Sequence, residues 1–315
     1  MIFVLSTGRC GSMTITSVLS QFTGVECYHE PEPKLAKEAY DYLTGRMRRA
    51  ELADLLRQTR RARMPGNIYA ESNQKLSYMV DALLEAFPAA RFIWLVRNGL
   101  DVVASLEHRR TYRRTRGEWN VYRLRGDELG DVDPRQWRRM TAFAKCCWYW
   151  RWTNERIERD LEAAGADYIV VKLEELADNI GAIGEWLGIP AHGVTVPVAN
   201  AHAGRVSGAE YWDRRQRRDF ADWCGPIMDE LYPGWRARLV LNAGKTFRNE
   251  LLSLLSYRTW TGRMLRTAGA VLPESVRRGV AAKLQGKGVA NFEYKGEKAQ
   301  LDNASAAQAR DPVDS

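Results

Sequence analysis

The N-terminus contains the pattern that most constrains the fold, an apolar strand followed by a glycine loop and a helix. Residues 2–6 read IFVLS, residues 7–14 read TGRCGSMT, and the helical run ITSVLSQF follows. Glycine accepts the backbone angles of a tight turn, and consecutive N–H groups at the start of a helix bind phosphate or sulfate. The pattern therefore predicts an anion-binding loop in an α/β fold.

Short apolar runs alternate with helical patterns along the chain, which is typical of βαβ units and of a mostly parallel sheet flanked by helices. The predicted strands cover residues 2–6, 25–29, 67–70, 91–96 and 168–172. The last two runs are apolar throughout, which favours central strands covered on both faces. The predicted helices cover residues 11–22, 50–63, 76–87, 99–108 and 134–164.

Two segments between these elements have a distinctive composition. The helix at 134–164 carries Trp148, Tyr149, Trp150 and Trp152, which we assign to the core because aromatic side chains bury large areas. Residues 111–133 lack a regular period and indicate a polar loop, which is either a lid or substrate wall or a solvated insertion.

The length of 315 residues favours one large α/β domain with an appendage. We predict a main domain at 1–245, a basic helical extension at 246–298 and a disordered tail at 299–315. The five cysteines include no CxxC pair, so neither a disulfide framework nor a zinc site is indicated. Because residues 2–6 are also too short for a signal sequence, we expect a cytoplasmic protein.

The formal net charge of +8 suits an anionic ligand, but it also suits nucleic acid or an acidic membrane. The glycine loop is more specific. It is not a Walker A loop, because no lysine precedes the hydroxyl residue in the run from Gly11 to Thr14. Arg9 lies inside the loop instead, where a guanidinium can bind two oxygens of a transferring group.

Two motifs together resemble the sulfotransferases that use 3′-phosphoadenosine 5′-phosphosulfate (PAPS). The run TGRCGSMT resembles the loop that binds the 5′-phosphosulfate. The run RFIWLVRNGLDVVASL at 91–106 resembles the 3′-phosphate motif, in which a strand ends in an arginine and the next helix carries a serine. The later runs IVVKLEEL, IGEWLGIP and FADWCGPIMDELYP are similar to the family in the same order, so the resemblance covers roughly residues 1–235.

The resemblance implies a P-loop-like sulfotransferase fold and transfer of a sulfuryl group from PAPS to a hydroxyl or amine without a metal. Arg9 would stabilise the bridging oxygen as the bond to sulfur breaks, and Arg97 and Ser105 would hold the 3′-phosphate. The nucleotide-binding residues that it implies are Thr7, Gly8, Arg9, Cys10, Gly11, Ser12, Met13, Thr14, Arg97 and Ser105.

A general base should accept the proton of the acceptor. Glu30 is the first candidate because it follows the second strand and would lie at the same edge of the sheet as the glycine loop. His29 is the alternative, although successive strand residues point to opposite faces, so only one of the two should face the site. Glu71, at another strand end, and His108 are further candidates.

Two other functions remain open at this stage, a P-loop kinase and a basic nucleic-acid-binding protein. A P-loop kinase would need a Walker lysine and a Walker B acidic strand end, and both are missing from this sequence. The arginines at 214–218, which suggest nucleic-acid binding, suit a helix face or an anionic acceptor equally well. We therefore expect no nucleic-acid partner. The acceptor, whether carbohydrate, lipid or small molecule, and the oligomeric state are not readable, and residues 247–287 carry a pattern compatible with peripheral membrane contact.

Overall fold

A computed structural model describes residues 1–61, 67–113, 122–197, 209 and 212–240. Met1–Gly244 form one compact unit. The predicted extension at 246–298, the predicted tail at 299–315 and the membrane-contact segment at 247–287 lie outside the described residues, so they stay predictions.

The centre of the fold is a five-stranded sheet in the order β2-β3-β1-β4-β5, and all its strand pairs are parallel. The strands are β1 Ile2–Leu5, β2 Val25–His29, β3 Ile68–Ser72, β4 Arg91–Val96 and β5 Asp167–Lys172. Helices connect them, as parallel strands require. The predicted α/β class with a parallel sheet flanked by helices is confirmed.

The two strands that we expected at the centre of the sheet occupy different positions. β4 lies between β1 and β5, and Phe92 to Val96 are all buried. β5 is an edge strand whose Val170 is 43% exposed, so the prediction of a central position for β5 is wrong. An apolar run shows that a strand packs against something, but it does not show how many neighbours the strand has.

The helices are α1 Ser12–Leu19, α2 Ala36–Leu43, α3 Arg49–Arg61, α4 Val80–Ala86, α5 Gly99–His108, α6 Pro134–Arg139, α7 Ala142–Ala163, α8 Ile180–Leu187, α9 Arg214–Leu231 and α10 Trp235–Val240. Short 3₁₀ turns cover Leu76–Tyr78 and Leu173–Glu175. The predicted helix at 134–164 is two helices, because Met140 is extended and Thr141 starts a new helix by accepting the Ala144 N–H at 3.0 Å. α2 lies in a region where no helix was predicted.

The aromatic residues of α7 form part of the core, as predicted, with one exception. Trp148 and Trp150 are fully buried and Trp152 nearly so. The indole N–H of Trp150 donates to the carbonyl oxygen of Arg97 at 3.2 Å, so α7 fixes the backbone at the end of β4. Tyr149 is only partly buried, and its hydroxyl reaches the glycine loop. No helix among the described residues is both long and apolar enough to cross a membrane.

Candidate functional site

The glycine loop leaves β1 at the carboxyl edge of the sheet, where ligands of open α/β sheets bind. Gly11 has a φ of 82°, a left-handed conformation that glycine adopts without steric cost. Arg9 has a φ of 73°, which is uncommon for a residue with a side chain. Such strain persists only where surrounding contacts hold it, and it is typical of functional loops.

Gly8 sits in close contact with the end of the Gln74 side chain. A Cβ atom at this position would lie 2.5 Å from the side-chain oxygen of Gln74. The Gly8 N–H donates to the hydroxyl of Tyr149 at 2.9 Å, and that hydroxyl also lies 3.4 Å from the same Gln74 oxygen. The sequence assigned Tyr149 to the core and did not predict this contact with Gly8. The apolar period of a helix shows which face is buried, but it does not show what a hydroxyl on that face contacts.

Thr7 and Cys10 support the loop with their side chains. Both are buried, and the Thr7 hydroxyl lies 2.8 Å from the Cys10 sulfur. Burial raises the pKa of the Cys10 thiol to about 11, so the thiol stays protonated at neutral pH. Since the thiolate is the reactive form of cysteine, Cys10 has a packing role and only its backbone faces the predicted anion.

The backbone N–H groups of the loop divide into two sets. The N–H of Gly8 donates to Tyr149, and the N–H of Thr14 donates to the carbonyl oxygen of Gly11 at 2.9 Å. The N–H groups of residues 9–13 have no acceptor among the described residues. Unsatisfied N–H groups at a loop and helix start form an anion cradle. Met13, at this helix start, is 61% exposed.

Arg9 joins the glycine loop to the second predicted anion motif. Its Nε donates to the hydroxyl of Ser105 on α5 at 3.0 Å, a contact between residues 96 positions apart. Arg97, just after β4, donates to the carbonyl oxygen of Arg9 at 3.0 Å. Burial and the charges of Arg109 and Arg97 lower the pKa of the Arg9 guanidinium, although an arginine stays charged at neutral pH. The structure thus brings Arg9, Arg97 and Ser105 together.

The turn that follows Arg97 is fixed from two sides. Asn98 caps α5 by accepting the Leu100 N–H at 3.0 Å. The carboxylate of Glu174 accepts the Asn98 N–H at 2.9 Å and the Tyr232 hydroxyl at 3.0 Å. Glu174 lies in the 3₁₀ turn after β5, so the ends of two neighbouring strands are linked by one side chain.

Glu30 and His29 lie at the end of β2, and the charge of Glu30 acts on two residues near the glycine loop. The Glu30 backbone is left-handed, with a φ of 42°, and its N–H donates to Ser72 O at 3.1 Å. Burial lowers the pKa of the Lys75 amine, and the Glu30 carboxylate opposes that shift, so the two charges are close. Glu30 also acts on Tyr149, whose pKa is raised mainly by burial. Lys75 carries no motif that would have identified it from sequence.

His29 differs from Glu30 in its surroundings. Its Nδ1 is buried and has no hydrogen-bond partner among the described residues. His108, the further base candidate, is exposed in the last turn of α5. Within the described ranges no group of three or more His, Cys, Asp or Glu side chains is arranged to hold a metal ion.

Glu71 is fully buried inside the fold and its carboxylate is already saturated with donors. Arg60 binds it through Nε at 2.8 Å and a terminal nitrogen at 2.9 Å. The Tyr69 hydroxyl donates at 2.7 Å and the Asn73 amide at 3.2 Å. A carboxylate offers about four lone-pair positions, so Glu71 retains none for an acceptor proton and has a structural role.

The arginines at the start of α9 have protein partners. Asp213 caps the helix with a capping box that includes Gln216. Arg215 lies 3.9 Å from Asp219, and Arg217 donates to the carbonyl oxygen of Trp212 at 3.1 Å. These contacts indicate that the arginine run builds the helix start and its surface.

The comparison with known families agrees with this geometry. Residues 2–153 match the model described as "Sulfotransferase family". The match covers just under half of the chain, and over these residues the chain is similar to that family. The matched stretch includes the glycine loop, Glu30, Arg97 and Ser105, and the resemblance predicted from the two motifs is confirmed. The match supports sulfuryl transfer as the class of activity. A search of curated protein sequences finds no significant match.

Solved sulfotransferase structures are also similar to this chain. A sulfotransferase from Alicyclobacillus acidocaldarius shares 18% identity over 76% of this chain and 94% of its own, with a TM-score of 0.44. The sulfotransferase domain of the Synechococcus PCC 7002 olefin synthase shares 17% over 64% and 82%, with a TM-score of 0.38. A sulfotransferase from Mycobacterium avium shares 14% over 73% and 76%, with a TM-score of 0.45.

Proposed function

We propose that this protein transfers a sulfuryl group from PAPS to a hydroxyl or amine of a carbohydrate, lipid or small-molecule acceptor. The contact between Arg9 and Ser105 carries the proposal. It joins the loop predicted to bind the 5′-phosphosulfate to the helix predicted to bind the 3′-phosphate. A donor that bears anionic groups at both its 5′ and 3′ positions fits two cationic sites that meet in this way.

The residues of the loop fit the charge and the shape of the donor. Residues 9–13 present N–H groups that have no acceptor in the described part of the chain, and Arg9 adds a guanidinium that can form two parallel bonds to one anion. These donors would hold the 5′-phosphosulfate and stabilise the negative charge that builds on the leaving phosphate oxygen. Groups positioned in advance for such charge typically contribute about 10²–10³-fold to the rate.

Glu30 is proposed to accept the proton of the acceptor. The acceptor oxygen or nitrogen would form a bond to sulfur while the bond from sulfur to the bridging phosphate oxygen breaks, and the electron pair leaves with 3′,5′-ADP (PAP). The charges of Lys75 and Glu30 interact, so the positive charge of Lys75 would stabilise either the Glu30 carboxylate or the sulfuryl oxygens. His29 remains the alternative base, and Glu71 is saturated by Arg60.

We also propose that the protein is cytoplasmic and has no nucleic-acid partner. Arg217, in the run that suggested nucleic acid, binds carbonyl oxygens of Trp212 and Leu239 instead of lying free. The kinase alternative is not favoured, because the run from Gly11 to Thr14 contains no lysine, which a Walker loop has directly after its second glycine.

Calorimetric titration of the purified protein with PAP, 5′-ADP and ATP tests the donor. We expect PAP to bind tightly, and the other two nucleotides to bind weakly because they lack the 3′-phosphate. Arg97→Ala should abolish the preference for PAP, and Arg97→Lys, which keeps the charge but not the planar fork, should restore only part of it. Equal binding of all three nucleotides, or binding of none, would refute the proposal.

Acceptor screening then tests transfer itself. Labelled PAPS would be incubated with pools of carbohydrate, lipid and phenolic or alcoholic acceptors, and transfer would be followed as labelled product. Glu30→Gln should bind PAP as the wild type does and lose turnover, whereas His29→Gln should retain it. The reverse result would assign the base to His29.

A further inference from the structure

Helix α5 carries a second polar residue on the face that holds Ser105. Arg109 follows Ser105 by four residues and still has helical backbone angles, and its N–H donates to the Ser105 carbonyl oxygen at 3.1 Å. Residues four apart on a helix lie on the same face, one turn from each other. Arg109 is therefore placed next to the serine that we assign to the donor.

Two guanidinium groups make contacts at this serine or at its partner Arg9, and the charge of Arg109 also acts on Arg9. Arg9 donates to the Ser105 hydroxyl at 3.0 Å, and Arg97 donates to the Arg9 carbonyl oxygen. The charge of Arg109 acts on Arg9 more strongly than that of Arg97. Among the described residues, no carboxylate lies within ion-pair distance of Arg9, Arg97 or Arg109.

Like charges that converge without a counter-charge repel each other and require an anion to offset them. A phosphate monoester carries between about 1.5 and 2 negative charges at neutral pH. It also has three oxygens, enough to accept from two guanidinium groups and one hydroxyl. Arg109 caps the end of α5, one helical turn from Ser105. This position favours contact with the 3′-phosphate over contact with an anion at the N–H groups that start α1.

We propose that Arg109 is a further binding residue for the donor, which recognises the 3′-phosphate together with Arg97 and Ser105. The inference rests on the proposed use of PAPS. Beyond the use of PAPS, the inference states that Arg109 contributes to the discrimination between nucleotides with and without a 3′-phosphate.

The test compares PAP with 5′-AMP, which lacks the 3′-phosphate, by calorimetry on the full chain. Arg109→Ala should weaken PAP binding by about 10–100-fold, the usual effect of a charged hydrogen bond. The affinity of Arg109→Ala for 5′-AMP should stay within about twofold of the wild-type affinity. Salt screens the charge of Arg109, so its removal has only a small effect on the more distant 5′-phosphate. The matched control is Arg138→Ala, an exposed arginine of α6 that makes the same change in net charge.

The outcomes separate the inference from the proposed function. If the wild type binds PAP and 5′-AMP equally, the use of PAPS is itself refuted, and the inference with it. A second result is that the wild type prefers PAP and Arg109→Ala keeps that preference. A third is that Arg109→Ala weakens the binding of both ligands equally, as Arg138→Ala would at low salt. Either of these two results overturns only the role of Arg109. Arg109→Lys should recover part of the lost preference, and thermal unfolding of each variant verifies that it is folded.

Discussion

Arg60 and Arg97 both lie close to the central sheet, yet their surroundings are opposite. Arg60 is fully buried and binds the equally buried Glu71 through two nitrogens. Arg97 lies with Arg9 and Arg109 at the carboxyl edge, where no described carboxylate pairs with any of them. Inside the fold the protein supplies the counter-charge of its arginine, and at the site the counter-charge is left for a ligand.

The difference separates stability from function. A buried ion pair contributes to one native arrangement, and removing one of its members leaves an uncompensated charge. Converging arginines do the reverse, because their mutual repulsion costs stability until an anion binds. Substitution in the first group should therefore alter unfolding, and substitution in the second should alter binding and turnover.

Breaking the buried pair should give the largest effect. Glu71→Ala leaves Arg60 buried without a counter-charge, and we expect it to lower the free energy of unfolding by about 3–5 kcal/mol. Denaturant unfolding measures this change. The control is Glu51→Ala, which removes the exposed pair with Arg48 and should cost far less stability because solvent screens exposed charges. Equal effects for both variants would show that burial does not distinguish the two pairs.

Removing Arg9 should give the next largest effect, on catalysis and not on folding. Arg9→Ala should lower kcat with PAPS by about 10²–10³-fold, the usual loss when one positioned donor to a developing anion is removed. Its thermal midpoint should be equal to or above that of the wild type, because one of three converging charges is gone. A fall in the thermal midpoint with unchanged kcat would place Arg9 with Arg60 in the structural group.

Replacing Glu174 should give a smaller effect, and it should lower both the stability of the fold and the affinity for PAP. Its carboxylate holds the Asn98 N–H and the Tyr232 hydroxyl, so it fixes the turn after Arg97 without contacting the donor. Glu174→Ala leaves a half-buried N–H without its partner, and we expect a loss of about 1–3 kcal/mol in unfolding. Glu174→Gln, which still accepts through one oxygen, should recover most of the stability and of the PAP affinity.

The smallest effect should come from Tyr149→Phe. The change removes one hydroxyl that accepts the Gly8 N–H and keeps the ring in place. We expect a loss of about 0.5–1.5 kcal/mol in unfolding, with PAP affinity reduced less than tenfold. The equivalent change at Tyr168, on the edge strand β5, is the control and should leave PAP binding unchanged.

Much of the site followed from local sequence patterns. The apolar strand, the glycines and the hydroxyl residues at 2–14 predicted a loop that the structure shows in detail, with Gly11 in the left-handed conformation. Strand β4, which ends just before Arg97, and helix α5 have the predicted bounds. These features depend on residues that are neighbours in the chain, and for that reason the sequence alone determined them.

Contacts between distant residues decided the rest. The sequence offered Glu30 and Glu71 as comparable strand-end carboxylates, and only the fold shows that Arg60 saturates Glu71. It placed Tyr149 in the core because helical periodicity does not reveal which hydroxyl reaches a loop 141 positions away. It placed β5 at the centre because an apolar run does not state how many strands lie beside it. Pairing and proximity depend on the whole chain's packing, so they belong to the tertiary structure.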